Sequence, residues 1–117
     1  MSDTKTIQMK IKAAAAEKIN SVAKTGQVII LALNDGSNKY SDLGGSCTIG
    51  ANFQFVVLSQ RDPDFAVKVA NNAGLNLYTS AAELQFLEDN LVVDEKNTVL
   101  TLADDSGIID NAVTIKH

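Results

Sequence analysis

The sequence predicts a mainly β (α+β) fold in a single domain over residues 1–117, its strands mixed or largely antiparallel, with a helix near the N-terminus covering one face. Three observations lead there. Seven or eight short apolar segments are separated by turn signals; only two segments change to a helical period; and there is no regular strand–helix–strand alternation or internal repeat. At 117 residues the chain is long enough to bury a core of its own.

Ile7, Met9 and Ile11 alternate with Thr6, Gln8 and Lys10, the pattern of a half-buried strand with one wet face. From Lys12 to Lys24 the period changes, and Ile11, Ala15, Ile19, Val22 and Ala23 fall on one helical stripe. Four alanines at 13–16 favour this helix, and Gly26 suits its stop. Val28 to Leu33 is apolar without alternation, so it reads as a strand covered on both faces. Asn34-Asp35-Gly36 signals a turn into a polar, glycine-rich loop. Asn52 to Leu58 then sets Phe53, Phe55 and Val57 on one face and Val56 and Leu58 on the other.

Arg61-Asp62-Pro63-Asp64 breaks the chain by ordinary turn chemistry. Phe65, Val67 and Val69 alternate as a strand, and Asn71 to Gly74 turns it back into Leu75 to Tyr78 as a hairpin. Ser80 with Glu83 three residues later has the form of a capping box, opening a short helix through Leu87. Leu91–Val93 and Thr98–Leu102 are strands around the turn Asp94-Glu95-Lys96-Asn97. Asp104 to Gly107 makes the last turn and Ile108 to Ile115 the closing strand.

With 45% hydrophobic and 21% charged residues the composition is that of an ordinary globular chain. A net charge of −4 argues against a nucleic-acid footprint and against adsorption to anionic membranes. No apolar run reaches the length of a membrane span, and residues 1–5 lack the marks of a secretory signal. One cysteine forms no internal disulfide, so the expected location is cytoplasmic.

The candidate chemistry sits between 35 and 50, where Gly44-Gly45-Ser46 precedes the sole cysteine, Cys47. The thiol suits a soft-metal ligand or a reactive nucleophile; a small, buried, inert cysteine is the plainer alternative. A Cys–His pair would need His117, the last residue here, and a general base must be held within hydrogen-bond reach. Gly44-Gly45-Ser46 could present N–H groups to an anion, yet it lacks the Lys-Ser/Thr ending of a phosphate loop and reads better as a turn. Asp104, Asp105 and Asp110 lack the ligand spacing of a calcium loop and read as a solvated hairpin turn.

Taken in order, these features resemble the HesB/IscA-like family of iron–sulfur cluster biosynthesis proteins, in particular its short single-domain bacterial branch. The residues that carry the resemblance are the helix Ala13-Ala14-Ala15-Ala16-Glu17-Lys18-Ile19, the loop Gly44-Gly45-Ser46-Cys47 between an apolar and a phenylalanine-rich strand, the stretch Leu77-Tyr78-Thr79-Ser80 to Phe86-Leu87, and the strand end Val92-Val93-Asp94. The resemblance implies a HesB-like fold of two small mixed β-sheets with an N-terminal helix and a second short helix. It implies a non-enzymatic, A-type carrier or scaffold-like role, with iron or an iron–sulfur cluster shared between subunits of a homo-oligomer, and assembly or recipient proteins as partners. Such proteins typically use three cysteines, one in a Gly-Gly-Cys loop and two in a later Cys-Gly-Cys pair. Only the first carries over, making Cys47 the candidate metal and cluster ligand and Gly44 and Gly45 its ligand loop; Asp110 to His117 holds no cysteine. Two further readings stand beside it: a metal-free protein-interaction module on the same fold, and an enzyme with Cys47 as nucleophile.

Overall fold

A strand as apolar as Val28 to Leu33 is stable only when both its faces are covered, and the architecture is built around that requirement. The computed structural model describes residues 7–24, 26–34, 39–40, 52–88 and 90–116. Its elements run β1 (Ile7–Ile11), α1 (Ala13–Asn20), β2 (Val28–Leu33), β3 (Phe53–Leu58) and β4 (Val67–Asn71). They continue with β5 (Leu77–Thr79), α2 (Ala81–Leu84), β6 (Leu91–Lys96), β7 (Val99–Asp104) and β8 (Gly107–Lys116).

The strands close into one barrel in the order β1-β4-β5-β2-β3-β8-β7-β6. The fold is mainly β as expected, but the expectation of two small mixed sheets is corrected. β1 is the reason. Its first half pairs in parallel with β4, from Ile7↔Val69 to Met9↔Asn71, and its second half in parallel with β6, from Met9↔Leu91 to Ile11↔Val93. One short strand thus joins what would otherwise be two open edges, and closure removes both. Asn72 completes the seam by imitating a peptide group: its Oδ1 accepts from Ile11 N at 2.6 Å and its Nδ2 donates to Ile11 O at 3.0 Å.

An eight-stranded barrel leaves an interior that side chains can fill. Here Ile29, Leu31 and Leu33 of β2 meet Phe53, Phe55 and Val57 of β3, with Met9, Leu77, Val93, Leu100 and Leu102 from the other strands. α1 adds Ala15 and Ile19 to that core. The alternate residues Val28, Ile30, Ala32 and Val56 face outward and are covered by Phe65, Tyr78, Tyr40 and Leu58. That second, outer core buries β2 on both sides.

Several boundaries move for local reasons. α1 ends at Asn20 rather than running to Lys24, because Asn and Ser favour local hydrogen bonds over helix, and Ser21 Oγ donates to Lys18 O at 2.7 Å. β4 begins at Val67; Phe65 is held in the preceding turn by its N–H on Asp62 O at 2.9 Å and joins the outer core. The β6–β7 hairpin is longer than expected, its loop being Asn97-Thr98 alone, both left-handed at φ 53° and 68°. Such two-residue loops match the strand twist. α2 is a single turn ending at Leu84.

Candidate functional site

The chain between β2 and β3 contains Gly44, Gly45 and Cys47, nominated as ligand loop and ligand, and its root is braced from both strands. Leu33↔Phe53 is the last pair of the β2–β3 ladder, and Asn34 N donates to Asn52 O at 2.7 Å just beyond it. Each end is also held by a buried carboxylate from far along the chain. Leu33 N donates to Glu83 Oε2 at 2.9 Å, and Phe53 N to Asp110 Oδ2 at 2.7 Å. Each carboxylate oxygen satisfies a buried backbone N–H that would otherwise be costly to leave unpaired, so both strand ends are anchored.

Local sequence explains how each carboxylate arrives. Ser80 caps α2 without a side-chain bond to its backbone; Ser80 Oγ donates instead to Glu83 Oε1. The spacing expected of a capping box therefore orients a carboxylate inward, where Glu83 is 2% exposed. Asp110 sits between two register shifts in the β7–β8 ladder, around Leu102↔Asp110. Bulges of this kind re-aim a side chain. Asp110 is thereby turned towards β3, and its Oδ1 accepts from Ala112 N at 3.0 Å. The reading of Asp110 as part of a solvated turn is corrected: it is buried. Asp104 and Asp105 do lie at the hairpin turn, Asp104 accepting from Ser106 and Glu88.

Lys39 and Tyr40, inside the loop, are pinned to the outer wall. Tyr40 Oη donates to Asp62 Oδ2, Lys39 Nζ lies 2.9 Å from the same oxygen, and Asp64 N donates to Asp62 Oδ1 at 2.9 Å. The Tyr40 ring meets Phe65 edge-on at 5.8 Å. Gln54 Nε2 and Lys116 Nζ both donate to Tyr40 O, at 2.8 and 3.1 Å. Gln54 is fully buried, and its Oε1 has no donor among the described residues.

The electrostatics of this cluster favour fixed charges. The Tyr40 hydroxyl, the Asp64 N–H and the Lys39 ammonium hold the Asp62 carboxyl down to about 2, so it stays ionised. Burial and the Asp62 contact push the Tyr40 phenol above its ordinary value, and the Asp62 contact likewise raises Lys39. Tyr40 stays protonated and Lys39 stays charged. The cluster is a fastening. Asp62 and Asp64 were read as turn residues, and Asp62 does far more, since nothing local marks a partner 22 residues away. Gln54 was also missed, although a polar residue between Phe53 and Phe55 in a doubly buried strand is a visible signal.

The nominated ligand Cys47, with Gly44 and Gly45, lies outside the described residues, as does His117. Among the described residues no group of three or more His, Cys, Asp or Glu side chains could hold a metal ion. One thiol per chain does not supply the several thiolates that cluster irons take. The donor set of a single chain therefore does not fit a complete cluster. A cleft of about 880 Å³ opens elsewhere, over β1, lined by Ile7, Met9, Lys10, Asn72, Glu88 and Leu91 among others. β1 stands opposite β3 in the barrel order, so the cleft does not meet the loop root.

Among known families, the one described as iron–sulphur cluster biosynthesis matches over residues 7–117. Among solved structures, the crystal structure of a proposed Fe-S biosynthesis protein from Lactobacillus acidophilus is similar, with a TM-score of 0.81 and 29% identity, covering 95% of this chain and 90% of that one. A second, a proposed Fe-S biosynthesis protein from Lactobacillus salivarius described as having a novel fold, has a TM-score of 0.74 and 21% identity over 94% of this chain and 97% of that one. At that identity it speaks for the fold alone. A search of curated proteins finds no match.

Proposed function

The chain belongs to the iron–sulphur cluster biosynthesis family, and from that membership we propose that it carries iron or an iron–sulfur cluster as cargo, without catalysing a reaction. Cys47 is the one thiolate this sequence offers. What supports the reading is that the family match runs through the loop between β2 and β3, where the sole cysteine lies in the chain. Because one thiol is too few, the cargo would be shared between two copies of the chain, with small thiols or a partner protein supplying the remaining ligands. Assembly or recipient proteins would be the exchange partners, in the cytoplasm. No helix among the described residues is long and apolar enough to cross a membrane.

The loop's anchoring suits this role. A ligand on a loop is useful only if the loop's two ends are rigid, and Glu83 and Asp110 provide that at Leu33 and Phe53. Anaerobic reconstitution with iron and sulfide tests the reading. The expected result is a visible charge-transfer absorption that disappears in Cys47→Ser.

A second reading has its own support. The single thiol, short of the several thiolates a cluster takes, favours a metal-free interaction module on the same barrel. A protein that stays colourless through reconstitution decides for this reading and against the first.

A further inference from the structure

The pairing registers place one row of residues across the outside of five strands. Lys68 of β4 lies opposite Tyr78 of β5, Tyr78 beside Ile30 of β2, Ile30 opposite Val56 of β3, and Val56 beside Lys116 of β8. Their chain neighbours Val69, Leu77, Leu31, Phe55 and Ile115 belong to the barrel core, so the row itself faces outward. Four interstrand steps make it about 19 Å long. Its middle is apolar and roofed by Phe65 and Tyr40. Its ends are cationic.

At one end the Arg61 guanidinium lies 4.5 Å from the centre of the Tyr78 ring, with Lys68 exposed beside it. Neither cation has a carboxylate partner among the described residues. At the other end Lys116 reaches Tyr40 O, while Lys39 is spent on Asp62. Asp64 borders this end, 4.0 Å from Lys39. Asp62 and Asp64 follow Arg61 in the chain and are turned to Lys39; a second acidic group lies elsewhere. Asp94, Glu95, Asp104 and Asp105 belong to the β6–β7 hairpin and its turn, and β6 and β7 stand across the barrel from β2 and β5. A chain of net charge −4 thus keeps a cationic, aromatic-floored face on one side.

We propose that this face, centred on Arg61, Tyr78 and Lys68, docks an acidic segment of a partner protein. Charge complementarity identifies the occupant. A long polyanion such as a nucleic acid would experience the negative field of the whole molecule, whereas a short acidic segment experiences chiefly the nearest cations, Arg61 and Lys68. An arginine already stacked on an aromatic ring loses little freedom on pairing with a carboxylate, which suits it as an anchor. Lys39 and Tyr40 belong to the loop that also carries Cys47, so a docked partner would lie beside that loop's start.

The test uses the metal-free full chain, so its outcome is separate from that of cluster reconstitution. Anisotropy of a labelled oligoglutamate peptide is followed at about 20 mM salt and again at about 200 mM, where the Debye length is below about 10 Å. The expected result is salt-sensitive binding that weakens by about tenfold or more when Arg61→Glu is combined with Lys68→Glu. A control that reverses Lys96, on β6 across the barrel, should change it by less than about twofold. Arg61→Gln with Lys68→Gln keeps the test usable if the reversed protein fails to melt cooperatively, and should weaken binding about threefold. Equal losses in the control, or no binding at low salt, overturn the proposal. So does tighter binding of an oligonucleotide or of phosphatidylserine vesicles that depends on the same two residues.

Discussion

Asp110 offers the sharpest test of how the loop root is held. The perturbation is Asp110→Ala. Phe53 is 1% exposed and its N–H lies 2.7 Å from Asp110 Oδ2, so truncation leaves a buried donor with no acceptor. An unsatisfied buried donor costs about 1–3 kcal/mol, and the Phe53 amide has no water to turn to, so the upper half of that range applies, about 2–3 kcal/mol. The second bond, from Ala112 N, lies at an exposed residue where water replaces it, and adds little. For a domain of this size the loss corresponds to a fall in Tm of roughly 8–12 °C. Asp110→Asn keeps one oxygen for Phe53 and should cost only about 1 kcal/mol. Urea unfolding followed by circular dichroism measures both, and amide exchange locates the effect, with the Phe53 amide becoming much faster in Asp110→Ala. A loss under about 0.5 kcal/mol with an unchanged Phe53 exchange rate would refute the anchoring argument, because Phe53 N–H would then be satisfied without Asp110.

Three other outcomes follow from the same contacts. Folding lowers the Asp62 carboxyl from its ordinary 3.8 to about 2, so its stabilising effect is complete above about pH 4 and is lost as pH falls towards 2; acid titration of Asp62→Asn should show a flatter stability curve across that window. Thr98 is β-branched yet left-handed at φ 68°, and Thr98→Gly, which makes the hairpin loop Asn-Gly, should stabilise by about 1 kcal/mol, read as a higher midpoint in urea. Asn72→Ala removes both side-chain bonds that join Ile11 to the β4–β5 turn and should cost about 1–2 kcal/mol, with faster exchange at the Ile11 amide as its local signature.

Much of the fold was legible because its causes are local. Period-two alternation located β1, the unbroken apolar run located β2, and the split of Phe53, Phe55 and Val57 from Val56 and Leu58 anticipated the two cores. The hairpin from β4 to β5 came from Asn71-Asn72-Ala73-Gly74, where Gly74 takes φ 71°. The motif Ser80-x-x-Glu83 was recognised correctly as a pair and given the wrong task. Spacing shows that two side chains can meet, not which backbone amide the carboxylate then serves.

By itself the sequence determined a mainly β domain, the approximate place of each strand, the solitary thiol and the family resemblance that the comparisons bear out. Those properties reside in side-chain periodicity, turn chemistry and residue identity, which are readable within a few residues. Only the tertiary structure decided that the strands close into a barrel, since the parallel partners of β1 lie some sixty and eighty residues further along the chain. The same holds for the loop root, where Glu83 and Asp110 reach Leu33 and Phe53 across 50 and 57 residues. A buried carboxylate finds its partner through the closed shape of the barrel, and no local pattern in the chain encodes that shape.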